Sequence, residues 1–135
     1  MKKYLLYIPF LLLSAGISFA RQRNSDHKIP RQILITTEQM PEFPGGNDAL
    51  VQYLVKNVKY PKKAFKEQVQ GTVKARFIVE TDGSISGEEI VQTVSEECDK
   101  ETLRVIKKMP GWNPGRQGGV AVAVYFTLPV SFKLK

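Results

Sequence analysis

From Val120 onward every even position is large and apolar (Val120, Val122, Val124, Phe126, Leu128, Val130, Phe132, Leu134), while the odd positions hold Ala121, Ala123, Tyr125, Thr127, Pro129, Ser131 and Lys133. A period of two puts successive side chains on opposite faces, so the stretch reads as one long strand with one buried face. Pro129 brings no N–H and is tolerated mainly where a missing donor faces solvent, so this strand is expected at a sheet edge, with one side unpaired for part of its length. An edge of that kind can accept a guest strand. The same period recurs earlier: Val73, Ala75, Phe77 and Val79 alternate with Lys74, Arg76, Ile78 and Glu80. Asp82-Gly83 signals a hairpin turn, and residues 84–94 return as a second strand carrying Ile85, Ile90 and Val94, with Gly87 a candidate bulge.

Helical spacing appears twice. Leu50, Val51, Leu54, Val55 and Val58 recur at three- and four-residue intervals behind Asn47, a candidate N-cap, and Asp48. Pro61 ends this helix by Tyr60 and can itself open a short one through Lys62, Lys63, Ala64, Phe65 and Lys66. Asp99 can cap a further helix with Leu103 and Ile106 on one face and Lys107 and Lys108 at its C-terminal end, closed by Pro110-Gly111. Two main helices and an antiparallel hairpin plus a long C-terminal strand define an α+β domain. Its opening loop, Met40-Pro41-Glu42-Phe43-Pro44-Gly45-Gly46, is stiffened by two prolines and released by two glycines.

The first twenty residues follow another logic. Lys2 and Lys3 precede an apolar run from Tyr4, and Ser18 and Ala20 are small residues at the spacing of an export-signal cleavage site. Residues 1–20 are read as a signal peptide cut after Ala20, leaving 135 − 20 = 115 residues. The competing reading is an uncleaved anchor, since the run from Tyr4 to Ala20 is 17 residues long, at the lower edge of the ~17 to 25 that span a bilayer. No Cys follows the run to receive a lipid. Residues 21–39 read as a flexible polar arm and residues 40–135 as the domain.

Composition then narrows the chemistry. The single Cys98 cannot form an internal disulfide, and with the single His27 it cannot supply a zinc site's ligands. Removing two lysines with the signal takes the formal charge from +7 to +5, a mild basicity suited to anionic surfaces or acidic partners. No Lys/Arg run interleaved with aromatics would track a nucleic acid. Glu88-Glu89 and Glu96-Glu97 are adjacent pairs, which point apart on a strand and cannot converge on one bond. His27 lies in the arm without a scaffold. Cys98, near a helix start, could have a lowered thiol pKa, although helix-start packing is the plainer reading. Gly45-Gly46 and Gly115-Arg116-Gln117-Gly118-Gly119 lack the strand-to-helix placement of a phosphate loop. No catalytic constellation and no cofactor site emerge, and the chain is expected not to be an enzyme.

The order of elements carries specific words: residues 40–46 as quoted, Tyr60-Pro61 with Ala64, Gly71-Thr72-Val73 leading to Phe77-Ile78-Val79 and Asp82-Gly83, Cys98-Asp99 with Leu103-Arg104, Met109-Pro110-Gly111-Trp112-Asn113-Pro114-Gly115, and Leu128-Pro129-Val130 with Phe132. Over about residues 40–135 the chain resembles the TonB C-terminal domain family, in its Bacteroides-type, stand-alone form behind a signal peptide. The resemblance implies a small antiparallel sheet covered by helices. It also implies residence in the periplasm and capture of a TonB-box-like extended segment of an outer-membrane receptor, or of another envelope protein, by strand addition in support of TonB-dependent transport. Mapped onto this sequence, the partner-binding strand supplies Val120, Val122, Val124, Tyr125, Phe126 and Thr127, and the loop entering it supplies Trp112, Arg116 and Gln117. Trp112 has core packing as its equal alternative.

The chain departs from a complete energy transducer of that family, which has an anchor with a Ser/His pair and a long Pro-rich reach. Here no His precedes His27. Residues 21–40 stretch to at most about 70 Å and span roughly 25 Å as a coil. Two alternatives accompany the binding module. One is an inner-membrane-anchored transducer that meets motor proteins. The other is a structural subunit pairing with itself through the C-terminal strand as a homodimer.

Overall fold

The computed structural model describes residues 31–135. The expected signal segment, His27 and the first part of the arm lie outside the described residues. Among the described residues eight elements follow one another: α1 (Gly46–Asn57), α2 (Lys62–Lys66), β1 (Gly71–Val79), β2 (Ile85–Gln92), α3 (Glu96–Lys107), β3 (Gly115–Gln117), β4 (Val120–Val122) and β5 (Val124–Phe132). The α+β class read from the pattern holds.

β1 is the central strand of a three-stranded antiparallel sheet in the order β2-β1-β5. Its odd side chains Val73, Ala75, Phe77 and Val79 are all fully buried, and Val124, Leu128, Val130 and Phe132 of β5 join them on the same face. Helices cover that face. Leu50 of α1, Ala64 of α2, and Cys98, Thr102, Val105 and Ile106 of α3 are buried. Tyr53 ties α1 to α3 by donating its hydroxyl to Val105 O at 2.9 Å. The opposite face carries Lys74, Arg76, Thr127 and Ser131 around one buried apolar residue, Ile78, and Arg76 crosses all three strands there: its Nε donates to Glu89 on β2 at 3.0 Å, and its guanidinium lies 4.5 Å from the centre of the Tyr125 ring on β5.

The hairpin between β1 and β2 turns at Gly83, whose φ of +88° lies in the left-handed region. Only glycine fits, because a Cβ there would lie 2.1 Å from Trp112 O. The close approach is fixed by a hydrogen bond in the other direction, Trp112 N–H donating to Gly83 O at 2.8 Å. Trp112 is thereby held in the core, 4% exposed, with its ring centroid 5.4 Å from Phe77, 4.9 Å from Phe126 and 5.7 Å from Phe43. Gly87 forms the expected bulge, with φ +63° and a register shift opposite residues 76–78.

Four local expectations are corrected. Asn47 does not cap α1. The chain enters that helix through Gly45 and Gly46, both at positive φ, and the N-cap is Gly45. α3 begins before Asp99: Ser95 is the cap, its Oγ accepting from Cys98 N–H at 3.2 Å, and Asp99 instead reaches back to accept from Val94 N–H at 3.1 Å. Pro61 precedes α2 rather than opening it.

The fourth correction concerns the long final strand. Residues 120–122 pair with β3 in a separate two-stranded sheet, and residues 124–132 pair with β1, so the strand is broken at Ala123, itself buried at 5%. The alternation runs on through the break because a change of partner does not change the pleat. Val120, expected inside, is 65% exposed at the tip of the small hairpin.

Candidate functional site: the free edge of the sheet

A three-stranded sheet has two edges, and they differ. β2 carries two register shifts against β1, and bulges of this kind twist an edge away from further pairing. β5 is paired with β1 in unbroken register over all nine residues, from Val79↔Val124 to Gly71↔Phe132. Its outer side is therefore the straighter template.

The direction of its backbone groups follows from one contact. Leu34 N–H donates to Ala123 O at 2.9 Å, and Tyr125 N–H donates to Leu34 O at 2.8 Å. Odd residues of β5 thus turn their N–H and C=O away from β1, and even residues make the ladder to it. Tyr125, Thr127, Pro129 and Ser131 are the outward set. Pro129 has its missing donor on the outward side, which is why proline is tolerated in a strand otherwise fully paired to β1. Leu34 covers the start of the edge by an isolated parallel bridge to Val124. No strand is paired to β5 over residues 127–132 on this side among the described residues.

Beside this edge runs an apolar groove of about 490 Å³. One wall is α1 and the turn after it, with Val51, Leu54, Val55, Val58 and Tyr60. The other is residues 129–133 of β5 and its exit. Val51 and Val55 stand on one helix face four residues apart, 57% and 79% exposed. Tyr60 closes the floor: its ring sits 5.6 Å from that of Phe132 in a perpendicular arrangement, and its hydroxyl donates to Val69 O. Burial raises the Tyr60 phenol above its ordinary pKa, and the nearby Cys98 adds to this, so the donor stays protonated.

The residues expected to bind a partner are spread over three places. Val124 and Trp112 are in the core, and Phe126 is half-buried on the same side of the sheet. Val120, Val122, Arg116 and Gln117 belong to the β3–β4 hairpin. Tyr125 and Thr127 alone stand on the outward set of the β5 edge. Groove residues Val51, Val55 and Tyr60 were not among the expected ones. Their sequence signal was the width of the α1 stripe, which holds more valine than one core contact consumes.

The hairpin residues have an internal partner. Thr37 Oγ1 donates to Arg116 O at 2.8 Å, Gln39 and Arg116 exchange backbone hydrogen bonds at 3.0 and 2.9 Å, and Gly118 N–H donates to Glu38 Oε1 at 2.7 Å. Glu42 and Asn113 exchange a further pair. The stretch read as a flexible arm up to residue 39 is consequently held from Leu34 onward, and residues from Gln32 pack with the domain. Gly115 is where this segment, β3 and β5 converge: a Cβ there would lie 2.7 Å from Val124 Cγ2 and 3.1 Å from Gln39 O.

Electrostatics reinforce the scaffold rather than build a reactive centre. Glu101 accepts from Arg104 at 2.7 and 2.8 Å and from Lys59 N–H at 2.7 Å; the Arg104 hydrogen bonds hold its carboxyl below the ordinary value, with Lys59 adding to them. Arg104 also donates to Asn57 O at 3.0 Å, clamping the end of α1 to α3. Glu89, Glu96 and Glu97 lie within 4 Å of Arg76, Lys100 and Lys63 respectively. Among the described residues no three His, Cys, Asp or Glu side chains are grouped to hold a metal. Cys98 is fully buried. No described helix is long and apolar enough to cross a membrane.

Among the described residues the molecule is thus an α+β domain whose sheet has one regular edge unpaired over residues 127–132, flanked by an apolar groove. Residues 56–134, more than half of the chain and including the whole of β5, match the family model of the Gram-negative bacterial TonB protein C-terminal, and the chain belongs to that family. The family is a transport-associated domain of the cell envelope whose members interact with outer-membrane receptors. Among solved structures, the NMR solution structure of the Helicobacter pylori TonB-CTD is similar over 68% of this chain and 87% of its own length, with 20% identity and a TM-score of 0.49. No curated protein matches the chain.

Proposed function

We propose that this chain is a non-enzymatic periplasmic module that binds an extended segment of an outer-membrane receptor by adding it as a fourth strand to the outer edge of β5. The observation that carries the reading is the coincidence of an unpaired run of backbone groups at residues 127–131 with the exposed valines of α1 beside it. Backbone hydrogen bonds supply affinity, and guest side chains on one face enter the groove and supply selectivity. Residues 1–20 serve as an export signal in this reading, and an intact mass beginning at Arg21 in the soluble periplasmic fraction is the result it expects.

Thr127→Pro tests the mechanism. It removes an outward N–H while the neighbouring even residues keep the ladder to β1, and Phe126 before it is already extended, as proline requires. Loss of one backbone bond together with the clash of the ring should weaken binding of synthetic N-terminal receptor segments by about tenfold or more, with thermal unfolding nearly unchanged. Undiminished binding by the folded variant rules out pairing along this edge.

A further inference from the structure

The edge is not wholly free, and what covers its start is a piece of the same chain. We propose that residues 32–36 form a displaceable internal strand that occupies the guest's place at residues 123–125 and competes with a guest for it. The inference rests on the β5 edge being the binding edge.

The covering segment is built to be an imitation guest. Ile33-Leu34-Ile35-Thr36 is rich in the β-branched residues that favour extended backbone. Leu34 fits between Ala123 and Tyr125 with both of its backbone groups satisfied, as a guest residue would. Yet the pairing stops after this one bridge. The cause is the tether: Thr37 and Gln39 are fixed to Arg116 on β3, so the chain must leave β5 directly after Leu34 and cannot follow it toward Thr127. The bridge is also parallel, the weaker arrangement per residue.

Little else holds the segment down. Leu34 is only half-buried, and Ile35 next to it is 80% exposed. A guest that pairs along residues 123–131 makes every bond that Leu34 makes and continues along the free edge, so it has the larger total. The anchor at residues 37–42 keeps the displaced segment close, ready to return when the guest leaves. The consequence is a threshold: a short segment confined to residues 127–131 binds without displacing Leu34, whereas a longer one must first open the bridge, and its apparent affinity is reduced by the fraction of molecules that are closed.

Two measurements decide the matter. In the unaltered protein, native-state hydrogen exchange should show the Tyr125 amide exchanging at least about tenfold faster than those of Phe126 and Leu128, through local opening of the bridge alone. Equal protection of all three would mean that the segment opens only with the fold, and would overturn the proposal without any guest being involved. In the second, Leu34→Pro removes the donor to Ala123 O, and Leu34→Gly strips the side-chain contact. Synthetic N-terminal receptor segments long enough to reach residue 123 should bind both variants more tightly than the unaltered chain, Leu34→Pro by about five- to tenfold, the scale of one backbone hydrogen bond, and Leu34→Gly by about threefold or more through the lost side-chain burial. Unchanged or weaker binding would show that Leu34 does not compete with the guest, and would also overturn the proposal. Receptor segments that bind none of the three proteins speak against the function proposed above, and the exchange result then decides the displaceable strand by itself.

Discussion

Replacing Val51 and Val55 together by serine separates the groove from the fold. Both valines project from α1 over the outer edge of β5, and 57% of the first and 79% of the second remain uncovered in the free protein. Fully burying a valine is worth about 1.5–3 kcal/mol, so complete coverage of what is left exposed would contribute roughly 2–4 kcal/mol in all. A guest strand along one side of the groove would cover about half of that surface, which leaves about 1–2 kcal/mol, or a dissociation constant raised by about five- to thirtyfold. The two positions are neighbours on one face, so single substitutions need not add to this figure. Stability should move much less, by at most about 1 kcal/mol, because serine and valine have similar helix propensities and little of either side chain is in the core. Calorimetric titration with receptor segments and urea unfolding of the same samples give the two quantities. Val91→Ser is the matched control, since Val91 is 50% exposed on the bulged edge strand β2. A double variant that binds as tightly as the unaltered chain would refute the use of the groove, whatever becomes of the edge.

Three further outcomes test the scaffold. Gly83→Ala should cost about 2–4 kcal/mol in thermal or urea unfolding, because the added Cβ meets Trp112 O at 2.1 Å with φ at +88°; a loss below about 1 kcal/mol would mean that the hairpin shifts freely. Glu101→Gln should destabilise the protein at neutral pH by about 1–3 kcal/mol. Glu101 has its folded-state pKa held below the ordinary 4.5 by Arg104, so the folded state binds fewer protons and the contribution is present above the unfolded value. It is lost as pH falls through the lowered folded value, and the stability gap to the variant should close as the pH drops below about 4.5; a gap constant down to pH 3 would contradict the assignment. Cys98, fully buried in α3, should react with a thiol reagent only at the rate of global opening, and rapid labelling of the native protein would show otherwise.

How much of this was legible in the sequence depends on what each signal measures. Period-two alternation reports a pleat with one buried face, so β1, the hairpin and the edge position of β5 could all be read, the last from Pro129 alone. Alternation is silent about the partner, and so the change from β3 to β1 at Ala123 left no trace in it. Capping residues compete locally: Ser95 and Asp99 are both cap types, and the structure uses the first as cap and the second to receive Val94 N–H. A helical stripe shows which residues share a face but not how much of that face the fold covers, and for this reason Val51 and Val55 could not be separated from Leu50. Residues 33–35 carried a short apolar run that a polar arm does not need, and its middle residue, Leu34, is the one bridged to β5.

The substitution that isolates strand addition lies at Thr127, not at the start of β5. Val124 looks like a partner-binding position from sequence, yet its side chain is fully buried and its register partner is Val79 of β1. Proline there removes a ladder donor to the central strand β1 beside a fully buried side chain and tests stability, not binding. At Tyr125 the outward N–H is already used by Leu34, so proline would loosen the internal strand and hinder a guest at once, with opposing effects on affinity. Only from Thr127 onward do the outward backbone groups face neither β1 nor Leu34. In the proposed reading the edge is therefore divided: residues 123–125 answer to the chain's own segment, residues 127–131 to a guest, and the boundary is set by the tether at Arg116 rather than by any property of β5 itself.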